Sequence, residues 1–292
     1  MFEGVYTAVI TPFKNGKIDE NSYEKIIDMQ IANNVNGIVP CGTTGESSTL
    51  SLEEHEYVIE LAIKRAKNKV KIIAGSGSNS TNDAVRLTMH AKTSGADGAL
   101  VITPYYNKPT QEGLYRHFKT IAENVDIPIV LYNVPGRTGV NMLPETVAKL
   151  SEIPNIVAIK EASGDIAQVS EIIRLCGKKI NVISGDDGLF FPILALGGRG
   201  VISVLANIMP SAMVKLYEAF ENRDFETARN LQLELLPIIK AMFIETNPIP
   251  VKTAAALMGL CEFEIRLPLC NLKKENYNSL VKVLEQYNLI KK

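Results

Sequence analysis

The chain has 292 residues, of which 46% are hydrophobic and 22% charged. That balance excludes an intrinsically disordered protein and suits one large domain with an appendage. Lys and Arg number 31 against 32 Asp and Glu, a formal net charge of −1, so no basic excess is available to hold nucleic acid or an anionic membrane. No apolar run reaches the roughly 20 residues of a membrane span, and Met1-Phe2-Glu3-Gly4 lacks the basic start and apolar stretch of a signal peptide. The cysteines, Cys41, Cys176, Cys261 and Cys270, form no CxxC pair, and scattered thiols in a chain of this size suggest a reducing cytoplasm. His55, His90 and His117 fall in no HxH or HExxH pattern, so no metal site is expected.

In chain order, short apolar runs predict strands at Val5–Ile10, Gly37–Pro40, Val70–Ala74 and Ala99–Thr103, then at Pro128–Tyr132, Ile156–Lys160, Asn181–Ser184 and Gly200–Val204. Between them the period is helical: Tyr23, Ile26, Ile27 and Ile31 share one face, as do Val58, Leu61, Ala62 and Ala66. The strands are apolar on both parities, as in a parallel sheet wrapped by helices. Eight such βα units predict an α/β fold of the (β/α)8 type, a TIM barrel. An open doubly wound sheet is the alternative, but no GxGxxG follows the first strand.

Past about residue 208 no strand is expected. Leu231, Leu235, Ile238, Ile239 and Met242 predict a helix that Pro237 should kink or break, and Leu280, Val283, Leu284 and Tyr287 mark another. The chain therefore divides into a catalytic barrel over 1–222 and a C-terminal all-helical domain over 223–292, packed together because no Gly/Ser linker intervenes.

Barrel chemistry collects at the C-terminal ends of strands, and the unusual residues lie there. Lys160 ends the apolar run Ile156-Val-Ala-Ile. The plain explanation is an ion pair or a side chain reaching out to solvent; the functional one is a Schiff-base lysine, since desolvation favours the neutral, nucleophilic amine. Gly42-Thr43-Thr44-Gly45-Glu46 offers free backbone N–H groups and two hydroxyls for a carboxylate, or is simply a βα turn. Tyr132 could shuttle protons beside such a lysine. Arg137, in the loop Val134-Pro-Gly-Arg-Thr-Gly139, could fork onto a carboxylate or stand solvated. Gly197-Gly198-Arg199-Gly200 has the look of a phosphate turn but precedes its strand, on the wrong rim.

Gly42–Glu46, Tyr132–Gly139 and Ile159-Lys160-Glu161, at the ends of the second, fifth and sixth strands, together resemble the dihydrodipicolinate synthase family. This is a family of pyruvate-dependent class I aldolases that includes N-acetylneuraminate lyase, and the resemblance covers essentially the whole chain. It implies a Schiff-base condensation of pyruvate with L-aspartate 4-semialdehyde, the first committed step of lysine and diaminopimelate biosynthesis. Lys160 would form the imine, and Thr43, Tyr132 and Tyr106 the proton relay, with Tyr106 entering from a neighbouring subunit. Thr44, with the Ile202 carbonyl region and Gly185, would hold the pyruvate carboxylate, and Arg137 the carboxylate of the semialdehyde. The imine is the electron sink, so no metal or organic cofactor is expected. The resemblance also implies a homotetramer, a dimer of tight dimers.

Two other functions share these features. A sister aldolase such as N-acetylneuraminate lyase would share Lys160 and Tyr132, but Thr43-Thr44, Tyr105-Tyr106 and Arg137 favour the synthase. A catalytically silent barrel that binds a keto acid need not keep the whole relay. At the lysine effector site of regulated family members the matching positions read Ser48, Leu52, His55, Asn79, Asp83 and Tyr105. Leu52 replaces a polar residue and Asp83 is a methylene shorter than Glu, so weak or absent lysine inhibition is expected.

Overall fold

The computed structural model describes residues 1–66 and 68–291. Ten strands occur among them: β1 (Gly4–Ala8), β2 (Phe13–Lys14), β3 (Lys17–Ile18), β4 (Gly37–Val39), β5 (Lys71–Gly75), β6 (Gly98–Ile102), β7 (Ile129–Asn133), β8 (Ile156–Glu161), β9 (Asn181–Ser184) and β10 (Gly200–Ser203). β1 and β4 to β10 close a parallel (β/α)8 barrel in chain order. β1 seals it by pairing with β10 (Gly4↔Gly200) and with β4 (Tyr6↔Gly37). All eight expected strands are barrel strands, with ends that move by a residue or two. The β2–β3 hairpin is additional; two-residue strands carry no readable period.

Alternation along each strand makes two cores. Tyr6, Val39, Ile73, Leu100, Val130, Tyr132, Ala158, Ile183 and Ile202 fill the barrel interior. Their neighbours Val5, Ile38, Ile72, Val101, Ile129, Leu131, Ile159 and Val182 face the surrounding helices. Both parities are therefore apolar, and each does a separate packing job. On β8 the inward parity runs from Ala158 to Lys160, and the outward from Ile159 to Glu161.

Past β10 the regular elements among the described residues are helical: a 3-10 turn at Leu205–Asn207, then Pro210–Glu221, Phe225–Ala241, Ile249–Leu257 and Lys274–Gln286. Helix Phe225–Ala241 starts from an Asp224 cap and packs on both Pro210–Glu221 and Lys274–Gln286. It runs unbroken through Pro237, which corrects the expected break. Pro237 is exposed, as is Leu233, whose carbonyl loses its usual donor; water can serve that carbonyl, so the missing N–H is tolerated. No helix among the described residues is long and apolar enough to cross a membrane.

Candidate active site

A cavity of about 170 Å3 opens where the barrel strands end. It is lined by Thr43, Thr44, Tyr132, Arg137, Lys160 and Gly185, together with Phe243 and Asn247 from the C-terminal region. Tyr132 and Lys160 are register partners on β7 and β8, and the Lys160 Nζ lies 4.3 Å from the Tyr132 ring centroid. Lys160 is 6% exposed. A side chain at Gly185 would meet Ala162 Cβ at 2.6 Å and Lys160 Cε at 3.1 Å, so glycine there leaves the lysine stem its path.

The adjacent carboxylate is not the partner of Lys160. Glu161 faces outward, where Oε1 accepts from the Ser163 backbone N–H at 2.7 Å. Oε2 accepts from Asn133 Nδ2 at 3.1 Å and Gln168 Nε2 at 3.3 Å. Burial pushes its carboxyl above the ordinary range, against these donors. The amine thus rests over an aromatic face in a small cavity, placed to attack a carbonyl carbon that enters it.

The Gly42–Glu46 turn is closed by Gly45 N–H to Gly42 O at 3.0 Å and Glu46 N–H to Thr43 O at 3.1 Å. Glu46 ends it in a left-handed conformation, φ 55°. Its carboxylate is buried and fastened from the far end of the sequence: Lys252 Nζ donates to Oε1 at 2.5 Å and the Arg266 backbone N–H to Oε2 at 3.1 Å. The Lys252 side chain is 0% exposed, and burial draws its ammonium below the usual lysine value against the pull of Glu46. The Phe13 ring, from β2, lies 4.3 Å from Lys252 Nζ and 4.2 Å from the Arg266 guanidinium carbon. Arg266 also forks onto Glu54 with two 2.6 Å bonds. The turn that presents Thr43 and Thr44 is therefore held by the helical region.

Asn247 ties the same region to the cavity. Its Nδ2 donates to Thr44 Oγ1 at 3.0 Å, and its backbone carbonyl accepts from Arg137 Nη2 at 3.1 Å. Arg137 sits in the single turn Pro135–Thr138, exposed at the mouth.

A second cavity of about 400 Å3 shares Thr43, Tyr132 and Arg137 with the first and reaches Ser48, His55 and Tyr105. His55 is buried with Nδ1 unpartnered, and burial pushes its imidazole down to about 4. Asn79 and Asp83 stand apart, around the start of helix Thr81–Ser94, where the Asp83 N–H is capped by Ser80 Oγ at 3.3 Å. Ile202 is fully buried in the barrel interior and lines neither cavity. Tyr106 is 90% exposed and held at φ 72°, pointing away from its own chain's packing.

Asn247, Lys252 and Arg266 are absent from the sequence-based set. Lys252 carried a usable signal: it interrupts the apolar run Ile249-Pro-Val-Lys-Thr-Ala-Ala-Ala-Leu257, the same anomaly that singles out Lys160. Asn247 and Arg266 carried none, because their neighbours are ordinary loop residues.

Residues 1–287 match the model of the dihydrodipicolinate synthetase family. The chain is 58% identical over 290 residues to the 4-hydroxy-tetrahydrodipicolinate synthase of Geotalea uraniireducens, covering 99% of this chain and 100% of that one. The synthase of Thermodesulfovibrio yellowstonii is 58% identical over 291 residues and all of both chains. Among solved structures, the dihydrodipicolinate synthase of Aquifex aeolicus superposes with a TM-score of 0.97 at 52% identity, covering 99% of each chain.

Proposed function

The chain belongs to the dihydrodipicolinate synthetase family, and we infer that it condenses pyruvate with L-aspartate 4-semialdehyde to give 4-hydroxy-tetrahydrodipicolinate, the first committed step towards lysine and diaminopimelate. The observation that carries this reading is one cavity lined by Lys160, Tyr132, Thr43, Thr44 and Arg137, with the lysine amine over the tyrosine ring.

In this mechanism the Lys160 amine attacks the keto carbon of pyruvate and the oxygen leaves as water, giving an iminium. The iminium withdraws electrons, so the pyruvate methyl yields a proton and becomes an enamine carbon. That carbon attacks the aldehyde, and the new alkoxide takes up a proton. The substrate amine then attacks the imine carbon and displaces Lys160, which closes the ring and returns the free lysine. Thr43, Tyr132 and Tyr106 carry the protons. The Thr44 hydroxyl, with Gly185 and the Ile202 carbonyl region, holds the pyruvate carboxylate, and Arg137 holds that of the semialdehyde at the mouth. The barrel of 1–222 carries the chemistry and the helical domain of 223–292 fastens it.

Tyr106 is directed outward, which supports its service to a neighbouring subunit and a homotetramer built of two tight dimers. Four free cysteines support a cytoplasmic, reducing setting. Arg137 at the mouth favours a short carboxylated aldehyde over the polyol of an N-acetylneuraminate lyase. A coupled assay with pyruvate and aspartate semialdehyde, run beside one with N-acetylneuraminate, decides: turnover is expected in the first alone, and turnover in the second alone would replace this reading.

A further inference from the structure

β7 and β8 do not pair evenly. Ile156 lies opposite Ile129 and Ala158 opposite Val130, so Val157 has no partner on β7. This is a bulge, and Val157 and Ala158 both pack against the barrel interior while Ile156 faces the helices. Unbroken alternation from Ile156 would turn Lys160 outward and Glu161 into the barrel; the extra residue reverses the two. Burial alone does not select that register, because three consecutive apolar residues, Val157, Ala158 and Ile159, suit either face. Only Lys160 and Glu161 tell the faces apart.

Glu161 does so through hydrogen bonds. It is the register partner of Asn133, directly after the Tyr132–Lys160 pair, and its Oε2 accepts from Asn133 Nδ2 at 3.1 Å across the two strands. The Ser163 N–H and Gln168 Nε2 also donate to it. The amide oxygens nearby are already taken. Asn133 Oδ1 accepts from the Met142 N–H at 3.0 Å, Asn141 Oδ1 from Asn133 Nδ2 at 2.8 Å, and Gln168 Oε1 from Asn141 Nδ2 at 2.7 Å. What remains is a buried set of donors, which satisfies a carboxylate and would leave an ammonium, itself a donor only, without an acceptor. We propose that Glu161 is a positioning residue: bonded to Asn133 across the strand pair, it holds β8 in the bulged register that turns Lys160 into the cavity opposite Tyr132. The proposal rests on the reading of Lys160 as the imine-forming residue. The effect on the chemistry is large, since a displacement of about 1 Å at a reacting group costs about 100-fold in rate.

The experiment exchanges donor and acceptor across the strands. Asn133→Asp sets two carboxylates against each other. Adding Glu161→Gln restores a donor–acceptor pair with its polarity reversed, and returns the number of charges to that of the wild type. Glu161→Leu removes the bond outright. The measured quantity is the rate at which pyruvate and borohydride fix an adduct on Lys160, per folded chain, at a temperature that melts show to lie below the unfolding of every variant. Glu161→Leu and Asn133→Asp are expected to trap about 10- to 100-fold more slowly, and the exchanged pair to regain most of that loss. A carboxylate that only stabilised the fold would lower the melting temperature and leave the folded chains trapping at the wild-type rate. That result in either single variant, or an exchanged pair that folds but traps no faster than Asn133→Asp, would overturn the proposal. If Glu161→Leu does not fold, Asn133→Asp and the exchanged pair decide by the same rates. Failure of the wild type to trap pyruvate on Lys160 would instead overturn the reading on which the proposal rests.

Discussion

The Nζ of Lys160 stands 4.3 Å from the centroid of the Tyr132 ring, and the two residues face each other across adjacent barrel strands. A strand register, rather than a flexible loop, sets their separation, so the reacting amine and the phenol beside it share one rigid frame. Lys160 should form an imine with pyruvate, and borohydride should convert it to one stable adduct per chain. Peptide mapping is expected to find the adduct on Lys160, and an adduct of equal yield in Lys160→Ala would show that another amine reacts.

Tyr106 is expected to serve the partner's cavity. Tyr106→Phe keeps the ring and removes the hydroxyl, so turnover should fall with the assembly intact by sedimentation. Mixed after subunit exchange, inactive Tyr106→Phe and inactive Lys160→Ala chains should regain activity, because some dimers then contain one complete site. No recovery after verified exchange would confine Tyr106 to its own chain.

Lys252→Met would strand the Glu46 carboxylate in the interior. Breaking a buried pair on one side costs about 3–5 kcal/mol, and the Thr43–Thr44 turn should lose its anchor, with turnover falling as well. Lys252→Met combined with Glu46→Gln removes both charges and should recover much of the stability. Denaturant melts of the single and double variants test this, and equal losses would mean that the charge pair is not what the helical region contributes.

His117 makes stability depend on pH. It is buried, its Nδ1 pairs with Thr81 Oγ1 at 2.9 Å, and its Nε2 has no partner. Burial lowers its imidazole from 6.5 to about 4. Above pH 6.5 it is neutral both folded and unfolded and costs nothing. As pH falls from 6.5 towards 4, the unfolded chain takes up a proton that the fold refuses, and stability drops by up to about 1.4 kcal/mol per pH unit. Between pH 7.5 and 5.0 the wild type should therefore lose about 2 kcal/mol more than His117→Gln. Parallel losses in melts at those two pH values would refute the assignment.

Lysine is expected to inhibit weakly. Ser48, His55 and Tyr105 line the second cavity, but the Asp83 carboxylate is 55% exposed at the start of its helix. It also reaches about 1.5 Å less far than glutamate would. Submillimolar half-inhibition in an initial-rate titration at saturating pyruvate would contradict this, and Asp83→Glu should raise sensitivity.

The barrel was legible because each strand must be apolar on both faces, and eight such runs at regular intervals leave few other folds. Lys160 was legible because a charge in such a run needs a reason. Asn247 was not: its importance lies in which side chains it meets, and Thr44 is 203 positions away. Pro237 misled because local propensity ignores whether the orphaned carbonyl faces water.

Glu46 and Lys252 are separated by 206 positions, which gives their pairing a place in time. At about 5–20 residues per second of synthesis, the carboxylate is made on the order of 10–40 seconds before its cation. Through that interval the Thr43–Thr44 turn exists as sequence but has no clamp, even after residues 200–203 have arrived to close the barrel. A nascent or truncated chain that stops short of Lys252 therefore holds every barrel strand but lacks the cation that fastens the Thr43–Thr44 turn.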